Sequence, residues 1–271
     1  MYMNNLSNGQ KIPALGFGTW EIPSHDAQAI VSQALDSGYR LIDTAKIYDN
    51  EAEVGAAIAA SGLPREDIFL TTKLWNDDQG YDSTRKAFDE SIKKLSVDYL
   101  DLYLIHWPAT SRRKESWRAM NDMYKEGLIK AIGVSNFSVR HLEELIASNI
   151  AVPMVNQVEF HPFIYEQQRE LLNYCYDQNI LVEAYSPLSR AAKQSHPVVQ
   201  DIASHASRTP AQILLRWCIQ HGTLPLPRSS NAAHIRENFN IFDFELSPDD
   251  MHKLNGLSDG ERVTWDPEEM K

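Results

Sequence analysis

Eight short apolar runs, each followed by a stretch of helical periodicity, leave few folds open to this chain. The runs are ALGFGTW (14–20), YRLIDTA (39–45), IFLTTKLW (68–75), YLDLYLIHW (99–107), KAIGVSNF (130–137), MVNQVEF (154–160), ILVEAYSP (180–187) and TLPLPRSS (223–230). Each is close to continuously hydrophobic, as strands buried on both faces of a parallel sheet are. Between them, segments such as DAQAIVSQALDSG, STRKAFDESIKKL and VRHLEELIASN repeat apolar residues at helical spacing. Several stop at Gly or Asn, which tolerate the left-handed backbone that ends a helix. Strand and helix in such alternation build either a closed parallel barrel or a long doubly wound sheet.

Two absences favour the barrel. No GxGxxG follows the first run, and no Pro/Gly/Ser-rich linker breaks the alternation. A (β/α)8 TIM barrel is therefore expected, as one domain over residues 1–271. Ser7-Asn8-Gly9 is a hairpin turn signal and predicts an N-terminal β-hairpin that plugs the barrel's bottom. Helical patterns at 210–222 and 247–254 read as extra helices near the C-terminus, one before the last strand and one near the tail.

Composition narrows the class of partner. A net charge of −11 argues against nucleic acid, although a local basic pocket can still hold an anionic cofactor. The N-terminus lacks a basic stretch followed by an apolar one, and no run approaches the ~20 apolar residues of a membrane span. A cytoplasmic protein with no membrane partner is expected, and a monomer. Cys175 and Cys218 lie in amphipathic patterns without CxxC or a nearby His, so they read as inert packing residues in a reducing compartment.

The active site of a β/α barrel is built at the C-terminal ends of its strands. There the second, third and fourth runs place Asp43, Lys73 and His106, with Tyr48 five residues beyond Asp43. Taken singly, these are a helix cap, a solvated amine, a core imidazole and a loop-packing phenol. Taken together they suit carbonyl reduction, which leaves negative charge on an oxygen that needs a proton. A tyrosine, with a reference pKa of about 10, is a workable acid beside a cation. Lys73 supplies the cation, Asp43 keeps it charged, and His106 holds the carbonyl oxygen. No metal is required, and no His/Cys/Asp cluster offers one a site. Two other readings stand beside this one: a lyase or isomerase with Lys73 as Schiff-base nucleophile, and a cofactor-sensing barrel without catalysis.

The stretch GYRLIDTAKIYDNEAEVG (38–55) resembles the first signature of the aldo-keto reductases. TTKLW (71–75), LIHWP (104–108), IGVSNF (132–137), VNQVEFHP (155–162) and AYSPL (184–188) resemble its other landmarks in order. The likeness runs from Ile12 to about Leu257, and the chain is similar to bacterial aldehyde reductases of the 2,5-diketo-gluconate and methylglyoxal type. It implies a nicotinamide-dependent reductase of aldehydes, dicarbonyls or keto sugars. Tyr48 is then the general acid, completed by Asp43, Lys73 and His106. Ser135, Asn136 and Gln157 are implied to hold the nicotinamide carboxamide, Tyr185 to stack on its ring, and Ser186 and Leu188 to line the pyrophosphate path.

The last run continues into PLPRSSNAAHIREN (225–238). Arg228 and Ser229 match the family's contacts to a 2′-phosphate, and Glu237 and Asn238 its contacts to adenine. His234 stands where the family has an arginine. An imidazole carries little charge at neutral pH and a guanidinium is always charged, so NADPH is expected with NADH possible. Trp20, Trp75 and Trp107 lie at or just past strand ends and suggest an apolar substrate wall. The likeness implies that the loops 109–115 and 190–197 and the tail 259–271, with Trp265, complete it. Lys46 and the run Arg112-Arg113-Lys114 are either solvated charges or a hint of an anionic carbonyl such as a keto-sugar acid.

Overall fold

A computed structural model describes residues 2–191 and 193–267. The chain opens with a hairpin of β1 (Met3–Asn5) and β2 (Lys11–Pro13). Strand–helix units follow: β3 (Phe17–Gly18), α1 (Ser24–Asp36), β4 (Leu41–Asp43), α2 (Glu51–Ala60), β5 (Phe69–Leu74), α3 (Tyr81–Leu95), β6 (Leu102–Ile105) and α4 (Arg113–Lys125). They continue with β7 (Ile132–Ser135), α5 (Val139–Ile146), β8 (Val155–Glu159), α6 (Tyr165–Asp177) and β9 (Leu181–Tyr185). The chain then forms α7 (Pro197–Ala206), α8 (Pro210–Gln220), β10 (Leu224–Leu226), α9 (Ala232–Phe239) and α10 (Pro248–Asn255).

Strands β3 to β10 pair in parallel, in chain order, as the sequence pattern implies. Every residue of β3–β8 and of β10 is buried, which is why these strands read as unbroken apolar runs. The first and last strands meet through Gly16 N–H to the Pro225 carbonyl (3.1 Å) and Gly18 N–H to the Pro227 carbonyl (3.0 Å). Proline has no N–H to return, so this seam is hydrogen-bonded in one direction only. Gly16 is crowded by side chains: a Cβ there would stand 2.4 Å from Leu41 Cδ2 and 2.5 Å from Leu226 Cδ2, so both leucines would have to move.

The hairpin turns at Gly9 with φ 84°, and Leu6 N–H donates to the Gln10 carbonyl at 2.9 Å. Leu6 and Ile12 are buried, and Asn8 Nδ2 donates to the Lys130 carbonyl at 3.0 Å. Lys130 just precedes β7, so the hairpin is fastened at the strands' N-terminal ends, opposite the expected site.

Near the C-terminus the helices differ in detail from the sequence reading, which set 210–222 apart as an addition. Two helices stand between β9 and β10. The second, α8, is buried at every position from Ala211 to Cys218 and packs on β10. The first, α7, buries only Val199, Ile202 and Ala203 and packs on α8 and α10. The helices extra to the repeat are thus α7 and α10. Cys175 and Cys218 are buried free thiols, and burial pushes Cys175 up to about 12. Among the described residues no helix is long and apolar enough to cross a membrane.

Gly133 on β7 has no room for a side chain, since a Cβ would lie 2.6 Å from the Val155 carbonyl on β8. Overpacking of this kind costs ~1–3 kcal/mol, and at this chain length each kcal/mol lowers Tm by ~2–4 °C. Gly133→Ala is expected to melt correspondingly early in a thermal scan, and a wild-type Tm would refute the packing.

Candidate active site

Lys73 is wholly buried near the end of β5. An ammonium there is tolerable only with close partners. Its Nζ donates to Asp43 Oδ1 on β4 at 2.6 Å, to the Thr44 carbonyl at 3.0 Å and to Tyr48 Oη at 3.2 Å. Burial works against its charge, but Asp43 and Tyr48 prevail and its pKa stands above the ordinary lysine value. Three N–H bonds exhaust the ammonium's donors. Tyr48 therefore accepts from Lys73 and keeps its own hydrogen for another partner.

Tyr48 ends a short 3-10 turn, Lys46–Tyr48, after β4. Burial raises its pKa, the Lys73 charge opposes that, and Asp43 adds to the rise. His106 follows β6, with its ring edge-on to Tyr48 (centroids 5.7 Å apart) and to Trp75 (5.2 Å). Burial, aided by the Lys73 charge, holds its pKa well below the usual imidazole value, so it is neutral at physiological pH. Asp43, Tyr48, Lys73 and His106 thus share one end of the barrel.

A hydrogen-bonded network extends from them across the barrel. Gln157 on β8 donates through Nε2 to Asp43 Oδ2 (2.9 Å) and to Glu183 Oε2 (2.7 Å). Ser135 Oγ donates to the Gln157 carbonyl at 2.8 Å. Asn136, at φ 63°, donates through Nδ2 to the His106 carbonyl (3.0 Å) and to Ser135 Oγ (3.1 Å), and its Oδ1 accepts from Tyr185 Oη at 2.7 Å. Glu183 is fully buried on β9; burial, then the Asp43 charge, pushes its pKa up to about 8. The sequence reading missed it, because a lone Glu in the ILVEAYSP run carries no local mark of facing Asp43 across the barrel.

The second group of predicted residues lies beyond β9 and β10. Ser186 adopts φ 48° and Leu188 packs against the core. Arg228 gives Nε to the Trp20 carbonyl (3.1 Å) and Nη2 to the Glu21 carbonyl (2.5 Å), stitching the β10–α9 loop to the β3–α1 loop. Ser229 Oγ accepts from Asn231 N–H at 3.0 Å, and His234 is exposed on the first turn of α9. Glu237 accepts from Thr209 Oγ1 at 2.7 Å. Two buried polar atoms here, Asn238 Oδ1 and Ser189 Oγ, have no hydrogen-bond partner among the described residues.

The three tryptophans named in the sequence have different neighbours. Trp20 stands 4.8 Å from the Tyr48 ring, Trp75 flanks His106, and Trp107 lies 6.0 Å from Trp265 of the tail. Two further residues set these loops. Buried Asn50 donates to the Thr19 (3.0 Å) and Ile22 (3.2 Å) carbonyls and accepts from Thr44 Oγ1 (2.8 Å). Gln79 donates to the Trp107 carbonyl (2.8 Å) and accepts from Thr110 Oγ1 (2.6 Å). Only their loop position and polarity could have marked them in sequence.

The cations flagged in the sequence are all engaged. Lys46 pairs with Asp78 (2.8 Å) and Glu90 (3.0 Å), and Arg112 with Glu115 (3.5 Å). Arg113 and Lys114 both pair with Glu144 of α5. The predicted loop 109–115 ends early, because Arg113 already begins α4. Of the loop 190–197, Ala192 is outside the described residues, as are 268–271 of the tail.

Comparison with known proteins shows the family and agrees with the fold. The sequence profile described as Aldo/keto reductase family matches residues 14–259. A glyoxal reductase of Bacillus subtilis (strain 168) is 48% identical over 266 residues, covering 98% of this chain and 96% of the relative. The crystal structure of an aldo/keto reductase from Brucella melitensis superposes with TM-score 0.91 at 48% identity, covering 95% of this chain and 99% of that one. A Bombyx mori aldo-keto reductase in complex with NADP superposes with TM-score 0.92 at 34% identity, covering 97% and 94%.

Glu183 links the site to pH. It keeps its proton in the folded chain up to about 8, whereas an unfolded Glu loses it near ~4.3. Folding therefore takes up a proton between those values, and stability falls as pH rises through that window. Between about pH 5 and about pH 8 the wild-type Tm is expected to fall several degrees more than that of Glu183→Gln, and parallel curves would refute it.

Proposed function

The chain belongs to the aldo/keto reductase family of carbonyl-reducing oxidoreductases, and from that premise we propose that it reduces small, uncharged aldehydes and dicarbonyls with NADPH, Tyr48 giving the proton. The observation that carries the proposal is the set of bonds from Lys73 Nζ to Asp43 and Tyr48. Because Lys73 donates to Tyr48, the phenol's hydrogen is free to pass to a substrate oxygen. The charge left on Tyr48 is then stabilised by an ammonium that Asp43 keeps protonated. Neutral His106 donates an N–H to the same oxygen and positions the carbonyl without competing as an acid. Trp20 and Trp75 flank these groups and exclude water, which strengthens each charge interaction inside.

The residues fit a nicotinamide dinucleotide, which when bound supplies the hydride. Gln157 has both amide hydrogens on carboxyl groups and offers its carbonyl oxygen to an amide. The ring of Tyr185 is a platform for a planar ring. The unpartnered Asn238 Oδ1 suits an adenine amine, and the unpartnered Ser189 Oγ a polar group along the loop. Arg228 retains donors and charge for a phosphate after its two carbonyl bonds. Reading Lys73 as a Schiff-base nucleophile fares worse, since its raised pKa and three hydrogen bonds keep it protonated.

The substrate class follows from the mouth. Trp20 lies beside Tyr48 and Trp75 beside His106, and Lys46, Arg112, Arg113 and Lys114 are paired with carboxylates, so an anionic keto acid gains no ready cation. The likeness to a glyoxal reductase points the same way. The test is NADPH oxidation, followed by absorbance, with glyoxal-type dicarbonyls, simple aldehydes and keto acids. Dicarbonyls are expected to turn over with the highest kcat/KM. Tyr48→Phe is expected to lose ~10²–10⁴ in kcat while still binding NADPH. Full activity in that variant would refute the proton donor, and a preference for keto acids would refute the substrate class.

Cofactor preference rests on Arg228 and on exposed His234. His234→Arg adds a fixed charge at that site and is expected to raise the NADPH-to-NADH affinity ratio several-fold, the scale of one exposed phosphate contact of ~1 kcal/mol. An unchanged ratio in fluorescence titrations would remove His234 from the specificity argument.

A further inference from the structure

Glu159 closes β8 with a buried carboxylate, and the C-terminal segment supplies much of what that carboxylate binds. Its Oε1 accepts from the Val263 N–H at 2.7 Å and lies 2.9 Å from His161 Nε2, while its Oε2 accepts from the Thr264 hydroxyl. Thr264 Oγ1 in turn lies 3.1 Å from Tyr185 Oη. Tyr185 donates to Asn136 Oδ1 at 2.7 Å, and the His106 carbonyl, which can only accept, fixes which end of that amide is Nδ2.

Counting hydrogens exposes a choice. Thr264 has given its one hydroxyl hydrogen to Glu159, so toward Tyr185 it can only accept. Asn136 Oδ1 can also only accept. Tyr185 has a single hydrogen for two acceptors. We infer that Thr264, anchored by Glu159, is a positioning residue for Tyr185: it offers the Tyr185 hydrogen a second acceptor when Asn136 Oδ1 also accepts from a bound carboxamide. This rests on the nicotinamide reading above and adds the C-terminal segment to the cofactor site. Without Thr264, the Tyr185 hydroxyl has only Asn136 Oδ1 to donate to, an oxygen it must then share with the carboxamide. The adjacent residue, Trp265, stands edge-on to Trp107, so the segment that steadies the cofactor platform also walls the substrate side.

The experiment is a fluorescence titration of NADPH into the whole protein and its variants. Thr264→Val keeps the shape and removes the acceptor, and is expected to weaken NADPH binding about fivefold, the worth of one hydrogen bond of ~1 kcal/mol. Thr264→Ser is expected to restore wild-type affinity. In a Tyr185→Phe background, Thr264→Val is expected to change NADPH affinity no further, because the hydroxyl it served is gone. Equal NADPH affinity for wild type and Thr264→Val would overturn the inference, as would a full Thr264→Val effect in the Tyr185→Phe background. A wild type that bound neither NADPH nor NADH would instead overturn the nicotinamide reading, and this inference with it.

Discussion

An ammonium with no exposed surface has to be compensated on the spot, and the inner face of the barrel is organised around doing that for Lys73. Asp43 and the Thr44 carbonyl take two of its hydrogens from the neighbouring strand, and Tyr48 takes the third. Asp43 then needs its other oxygen satisfied, and Gln157 reaches it from β8, on the far side of the ring from β4. Gln157 has a second hydrogen, and Glu183 accepts it. Two ionised carboxylates around one amide, with one ammonium, would leave negative charge uncompensated in a dry interior. Glu183 avoids this by staying protonated into the neutral range. One buried cation thus dictates the residue types of four strands.

The rim depends on that interior but is held by other means. Asn50 fastens the β3–α1 loop to the β4–α2 loop, Gln79 fastens Trp107, and Arg228 joins the last loop to the first across the seam. These bonds run mostly to backbone carbonyls, so they set where the loops lie whatever side chains the loops carry. Trp20 and Trp107 are in this sense held through their backbone carbonyls, by Arg228 and Gln79. On the side of the tail, Glu159 captures Val263 and Thr264.

What was legible in the sequence follows from how local each signal is. Asp43, Lys73 and His106 could be found because a barrel strand announces itself by its apolar run and its end marks the rim. The hairpin could be found because Asn8-Gly9 encodes its turn within two residues. Helix α7 leaves little trace in the sequence, because PVVQDIASHA is short and buries only three side chains. The loop 109–115 read one turn too long because Arg113–Glu115 are charged yet helical, their charges taken up by Glu144 of α5 and, for Glu115, by Arg112. Asn50, Gln79, Glu159 and Glu183 were silent, since each acts on a partner remote in the chain or on a backbone atom that no side-chain pattern reveals.

The sequence by itself determined the alternation of strand and helix, the turn that starts the hairpin and the residues standing at the strand ends. Those are properties of a few consecutive side chains and of periodicity. Only the tertiary structure decided that Gln157 meets Asp43, that Lys46 turns to Asp78 and Glu90, and that Thr264 reaches Tyr185. Those contacts depend on ring closure and strand register, which bring together atoms up to 114 positions apart. Charge and hydrogen-bond satisfaction are settled by distances of a few ångströms in space, and only the closed barrel sets them.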